Sequence, residues 1–385
     1  MRIRLVAVGA ALAVPAIVAA QGSPVHVTIE LVAPALSDST AVYVAGSLPA
    51  LGNWNPGAVR LAAQGNHRWR LSITLAQPMS FEYKFTLGTW EREAADSTGA
   101  AMRNLSARVA GDTTISTTVR RWTDRPRQRV LNGQVTGTLR YHRGLKGAGL
   151  PDRDVVVWLP PGYDASRTTR YAVLYMLDGQ NVFDPATSSF GTDWAVDEAA
   201  DSLIRAQVIP PLIVVGVNSS SNRMAEYVPG AAGIAHMNFM LHVVKPLIDS
   251  VYRTRRDARH TYVGGSSAGG MAAFMMAWEH PDAFTRALAF SPAFQAPAGS
   301  DLTLAYVATV RATARPPKGV RFYIDIGGIG LEDRLRPGVD AMLEALKAKG
   351  YRDGRDYRIV RDPAAEHFEL AWRQRFPAAL AWILR

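Results

Sequence analysis

Five residues, Gly265-Ser266-Ser267-Ala268-Gly269, set a serine in the spacing Gly-x-Ser-x-Gly between two apolar runs. The run before it, His260-Thr261-Tyr262-Val263-Gly264, has the length and β-branched character of a buried strand. The run after it, Met271 to Trp278, is apolar all round, as a helix buried against a sheet must be. A chain that passes from a buried strand into a buried helix within five residues needs glycines where a Cβ would strike the neighbouring backbone. The residue at the apex is held in a strained conformation with its side chain exposed. The five-residue pattern alone also occurs in flexible Gly/Ser turns, and it is the flanking runs that select the strand-turn-helix. Ser267 is the candidate nucleophile.

At 385 residues the chain exceeds one typical domain, and two are expected after a leader. Residues 1–20 carry Arg2 and Arg4, an apolar stretch from Leu5 to Val18 and the small residues Ala19-Ala20, the order of a secretory signal peptide. A secreted or periplasmic protein follows as the expectation. No later apolar run reaches spanning length, so no membrane span is expected after cleavage. The absence of cysteine excludes disulfides, thiolate metal sites and a cysteine nucleophile. The formal charge of +10 is scattered, with Arg120-Arg121 and Arg255-Arg256 the longest basic clusters, which argues against a nucleic-acid partner.

From Val25 to about Asp124 short alternating segments are broken by Gly, Pro and Asn, the pattern of a small all-β, immunoglobulin-like sandwich. Four strands are expected at 25–31, 41–45, 69–75 and 81–86, with a closing strand near 113–119. Within this region the run from Val44 to Trp54, then Glu82-Tyr83-Lys84-Phe85, Trp90-Glu91 and Arg103-Asn104 resemble a starch-binding domain, carbohydrate-binding module family 20. The resemblance implies that Trp54 and Trp90 stack on glucose rings while Lys84 and Asn104 hydrogen-bond sugar hydroxyls, with an α-glucan or other polysaccharide as partner. The connection from Glu91 to Arg103 is longer than the family's usual one. Trp54 also has a packing role open to it, and Trp69 reads as a core residue.

A polar connection around 122–134 sets the expected boundary, with 21–124 as the sandwich and 125–385 as the second domain. There, continuous apolar runs at 154–159, 171–177, 211–217, 287–290, 321–326 and 357–360 alternate with helical segments, so a mostly parallel sheet covered on both faces is expected. A serine on such a turn takes its base from later in the chain, in the order Ser, acid, His. His280 is thirteen residues on and would lie about 20 Å away along the helix, so His367, after the last strand, is the base. The acid comes from the loop 327–333, where Glu332 is the choice and Asp333 the alternative, ahead of a helix expected to begin near Pro337. Asp325 lies inside the strand, and Asp362 is too near His367 in sequence. Two backbone donors complete the set: the amide of Ala268, and that of Gln180 in the loop Leu177 to Asn181, with Asn181 as alternative.

Residues 133–385 thereby resemble an esterase family of α/β-hydrolases that includes enterochelin, feruloyl and acetylxylan esterases and S-formylglutathione hydrolase. "LYMLDGQNVFD", "RMAEYVP", "GGSSAGG" and "EHFELAWRQRFPAALAWIL" carry the likeness, while "IDIGGIGLED" holds extra residues before the acid. The resemblance implies a serine esterase acting on a small ester through an acyl-enzyme, without cofactor. No metal motif or Gly-rich phosphate loop competes. The other open reading is a glycan-binding protein whose hydrolase domain has lost activity.

Overall fold

The computed structural model describes residues 24–97, 99, 101–123, 135–189, 191–295 and 305–385. The expected leader, 1–20, and the boundary at 124/125 lie outside the described residues.

In the N-terminal domain, a pair of four-stranded sheets face each other. One runs Ala62–Gly65, Arg68–Leu75, Val25–Val32 and Thr113–Thr118 in spatial order, the last pair parallel. The other runs Val59–Arg60, Tyr43–Gly46, Met79–Thr86 and Leu105–Val109. Strict alternation drives this layering: Val25, Val27, Ile29 and Leu31 point inward and pack with Trp69, Phe81, Tyr83 and Phe85. The strand Met79–Thr86 departs from alternation. Its outward residues Glu82, Lys84 and Thr86 are buried as well, because polar partners cover them.

The second domain is built on one eight-stranded sheet. Its strands are β1 (Thr138–Gly147), β2 (Leu150–Leu159), β3 (Ala172–Leu177), β4 (Leu212–Val217), β5 (Thr261–Ser266), β6 (Arg286–Phe290), β7 (Arg321–Ile329) and β8 (Tyr357–Glu366). They lie in the order β1-β2-β4-β3-β5-β6-β7-β8, antiparallel over the first three and parallel from β4 onward. β3, β4 and β5 are buried at every position, which is why they read as unbroken apolar runs. The core falls into two layers. Phe274, Met276 and Trp278 of helix α1 (Ala268–Glu279) pack on one face, and Trp372, Phe376 and Leu380 of the C-terminal helix on the other. No helix among the described residues is long and apolar enough to cross a membrane.

Two elements differ from the sequence reading. β1 has no counterpart in it, since this edge strand is half exposed and polar. The helix expected near Pro337 begins six residues earlier, as α2 (Leu331–Ala348), with Pro337 inside it. There the proline forgoes one i→i−4 bond without ending the helix. β7 correspondingly runs on to Ile329, so Glu332 and Asp333 occupy the first turn of a helix rather than a loop.

Candidate active site

The parallel strands deliver three segments to their carboxyl ends. Ser267, between β5 and α1, has φ 57° and ψ −124°. That conformation is strained for a residue with a side chain, and it persists because the surroundings fix it. The Ser267 amide donates to the Phe290 carbonyl at 2.9 Å, and the Ser267 carbonyl accepts from Ala293 at 2.9 Å. A Cβ on Gly265 would lie 2.8 Å from the Gly269 backbone, so the turn closes only with glycine there.

Glu332 and His367 meet two strands away. His367 Nδ1 lies 3.1 Å from Glu332 Oε1, and the other carboxylate oxygen accepts the Gly327 amide at 2.9 Å. This approach depends on Gly327, where a Cβ would lie 2.5 Å from the Ala365 carbonyl and 2.7 Å from Glu332 Cγ. Burial pushes the Glu332 carboxyl up, but the hydrogen bond and charge of His367, with the Ser291 side chain and the Gly327 amide, outweigh it and hold the pKa below the ordinary value. Asp333 instead points to solvent and pairs with Arg336. Asp325 is engaged by Arg375 at 2.8 Å and by the Ser291 amide at 2.8 Å. The His367 ring packs edge-on against Trp372, centroids 5.0 Å apart, and Trp372 Nε1 donates to Ser291 Oγ at 2.9 Å. The histidine is thereby tied to the 290–293 segment that also bonds Ser267.

Ala268 and Gln180 both lie in first turns, of α1 and of the 3₁₀ turn Gly179–Asn181, where amides have no acceptor within the helix. The Gln180 side chain is fixed by Ser219, donating to its Oγ at 2.9 Å and accepting its amide at 3.1 Å. Asn181 is buried and donates to Glu369 Oε1 at 3.3 Å. Burial pushes Glu369 up to about 8. Neither Glu369 nor the Arg223–Asp178 pair described below stands out in the sequence; Arg223 lies within the "RMAEYVP" run with nothing there to mark a role.

The four carbohydrate-site residues are not brought together as exposed groups. Trp54 and Trp90 are half-buried in 3₁₀ turns. Lys84 is 4% exposed with Nζ 2.7 Å from Glu93 Oε2, so a sugar hydroxyl reaches it only if that pair opens. Asn104 is exposed and donates to Glu82 Oε2 at 3.1 Å. Among the described residues, one acidic group, Asp193, Asp197 and Glu198, has ligand atoms within 4.8 Å of one another. Burial and the adjacent Glu198 push the Asp197 carboxyl well above its ordinary value.

A family model described as "Putative esterase" matches residues 151–383, more than half of the chain. The chain belongs to this esterase family. A second model, the starch binding domain, matches residues 24–113. Among solved structures the esterase is similar to a ferulic acid esterase at 20% identity and TM-score 0.52, with 64% of this chain and 98% of that one covered. It is also similar to the enterobactin esterase FES from Shigella flexneri at 15% identity and TM-score 0.54, covering 90% and 88%. At these identities the likeness is one of fold. Curated relatives are matched over short stretches. An amylopullulanase of Thermoanaerobacter thermohydrosulfuricus is 29% identical over 107 residues, 27% of this chain and 7% of that protein. An uncharacterized protein of Corynebacterium glutamicum is 28% identical over 147 residues, 37% and 33%. The chain thus spans a third or less of each of these relatives' length.

Proposed function

We propose that this chain is an exported serine esterase that cleaves a small carboxylic ester through an acyl-enzyme and is held at a polysaccharide by its N-terminal domain. The 3.1 Å contact between His367 Nδ1 and Glu332, at the same sheet edge as the Ser267 turn, carries the reading. With Nδ1–H donated to the carboxylate, Nε2 is left as the acceptor for the Ser267 proton. Ser267 Oγ attacks the ester carbonyl, the amides of Ala268 and Gln180 hold the developing oxyanion, and His367 returns the proton to the departing alcohol. Water then repeats the sequence to release the acid. The starch-binding match supports an α-glucan as the polysaccharide, stacked on Trp54 and Trp90; Lys84 and Asn104 belong to that proposal only in so far as their internal pairs open.

Hydrolysis of p-nitrophenyl acetate by wild type, Ser267→Ala, His367→Ala and the double variant tests the catalytic mechanism. Each single variant is expected to lose several orders of magnitude, and the double variant scarcely more, because the members act as a unit. A Ser267→Ala protein keeping more than about a tenth of wild-type turnover refutes the nucleophile, given losses of that size.

A further inference from the structure

Behind the Ser267 turn lies a charge pair that acyl transfer does not itself use, with Asp178 buried and Arg223 half-buried. Asp178, at the end of β3, has φ 57° and ψ 46°, a left-handed conformation disfavoured for a residue with a side chain. Arg223 grips its carboxylate with a fork, Nε to Oδ1 at 2.6 Å and Nη2 to Oδ2 at 2.7 Å. The same Nη2 lies 3.4 Å from the Ser266 carbonyl. The guanidinium sits 5.0 Å over the Tyr227 ring, whose hydroxyl accepts the Asp178 amide at 3.3 Å. A Cβ on Gly269 would come 3.2 Å from Asp178 Oδ2, so the carboxylate rests against the first turn of α1.

The two ends of this clamp are informative. Asp178 immediately precedes the turn that carries the Gln180 amide, and Ser266 immediately precedes Ser267 and Ala268. One guanidinium therefore contacts the chain just ahead of both candidate oxyanion donors. Two donors from separate loops stabilise a transition state only if their separation is fixed before the reaction. A planar fork with defined contacts at both ends fixes it, whereas a lysine ammonium supplies charge without that geometry. Resting on the serine-esterase reading, we infer that Arg223 is a positioning residue that sets the spacing of the Gln180 and Ala268 amides through Asp178 and the Ser266 carbonyl. Burial presses against the charge on Arg223, but the Asp178 carboxylate outweighs it and keeps the pKa above its ordinary value, so the clamp stays charged.

The test compares wild type, Arg223→Lys and Arg223→Met for kcat and KM on p-nitrophenyl acetate, thermal melting, and inhibition by phenylboronic acid. That probe adds Ser267 Oγ to boron and places an oxygen in the hole. Arg223→Lys keeps the charge and is the variant expected to fold if Arg223→Met does not. A positioning role predicts a kcat loss on the order of 10²-fold for the folded lysine variant, the penalty for displaced catalytic groups. KM should change little, and boronate binding should weaken in step with kcat. A lysine variant with a lowered melting temperature but unchanged kcat and boronate inhibition makes the pair a structural ion pair only and overturns the inference. A wild type that neither hydrolyses the ester nor responds to the boronate defeats the esterase reading itself, and the inference with it.

Discussion

Glu332→Gln is the substitution that most directly interrogates the acid. Both carboxylate oxygens are in use, one toward His367 Nδ1 at 3.1 Å and one accepting from Gly327 at 2.9 Å, and both of those partners are donors in the working state. An amide has a single acceptor. If its oxygen keeps the Gly327 bond, its NH₂ faces Nδ1 and forces the proton onto Nε2, where the ring can no longer take the Ser267 proton. If it turns over, the buried Gly327 amide loses its partner at a cost of about 1–3 kcal/mol. The first orientation matches the wrong-tautomer effect in serine triads, worth about four decades in kcat, or ~5 kcal/mol of barrier. Asp333→Asn supplies the control: Asp333 is 55% exposed and pairs with Arg336, and such a surface pair contributes at most about 1 kcal/mol to stability. Initial rates on p-nitrophenyl acetate, with circular dichroism to confirm folding, decide the matter. Near-normal turnover by Glu332→Gln together with an inactive Asp333→Asn would place the acid at Asp333. Two active variants would leave a Ser-His dyad.

Two further outcomes are expected. Glu369 keeps its proton up to about 8 in the folded chain but releases it near the ordinary carboxyl value, 4.5, when unfolded. The folded state therefore binds one more proton between those pH values, and stability falls as pH rises through that window, by about 1.4 kcal/mol per unit from this group. Glu369→Gln should remove that slope while still accepting from Asn181; identical slopes in urea unfolding at pH 5, 6, 7 and 8 would refute it. Trp54→Ala and Trp90→Ala should each weaken retention on insoluble starch by on the order of 1 kcal/mol or more, without changing turnover of a small soluble ester. A wild type that passes through a starch column unretained would end the glycan proposal.

Legibility followed burial on both faces. β3, β4 and β5 are readable because every residue is enclosed, whereas β1 alternates weakly and faces solvent, so nothing in its composition marks an edge strand. Ser267 and His367 stand out because a turn signature and the shortage of later histidines are local facts. The environment of Glu332 is only half visible: Gly327-Gly328 hints at a close approach, but that β8 supplies the opposing backbone depends on strand order. The pairing of Arg223 with Asp178, 45 residues apart, leaves no periodic trace. Lys84 matches a sugar-contact position, yet its actual partner, Glu93, is fixed by how the chain folds over the strand Met79–Thr86.

The two domains are joined at the segments that carry the candidate acid and base. Glu82 of the sandwich lies 2.6 Å from Arg334, two residues after Glu332, and Arg103 donates to Glu366 at 2.9 Å, one residue before His367. Lys84 also lowers the pKa of Glu369 through space. The Arg103–Glu366 pair is largely exposed, so it holds the domains loosely, while Glu82, nearly enclosed, would be left as a buried charge if Arg334 were lost. The strand that bears Glu82 and Lys84, together with the Arg103-Asn104 pair, is where the starch-binding resemblance places its polar contacts. Some of that surface consequently serves the esterase, and a polysaccharide held by the remainder, around Trp54 and Trp90, would be kept beside the catalytic edge by a polar contact rather than tethered at a distance by a free linker.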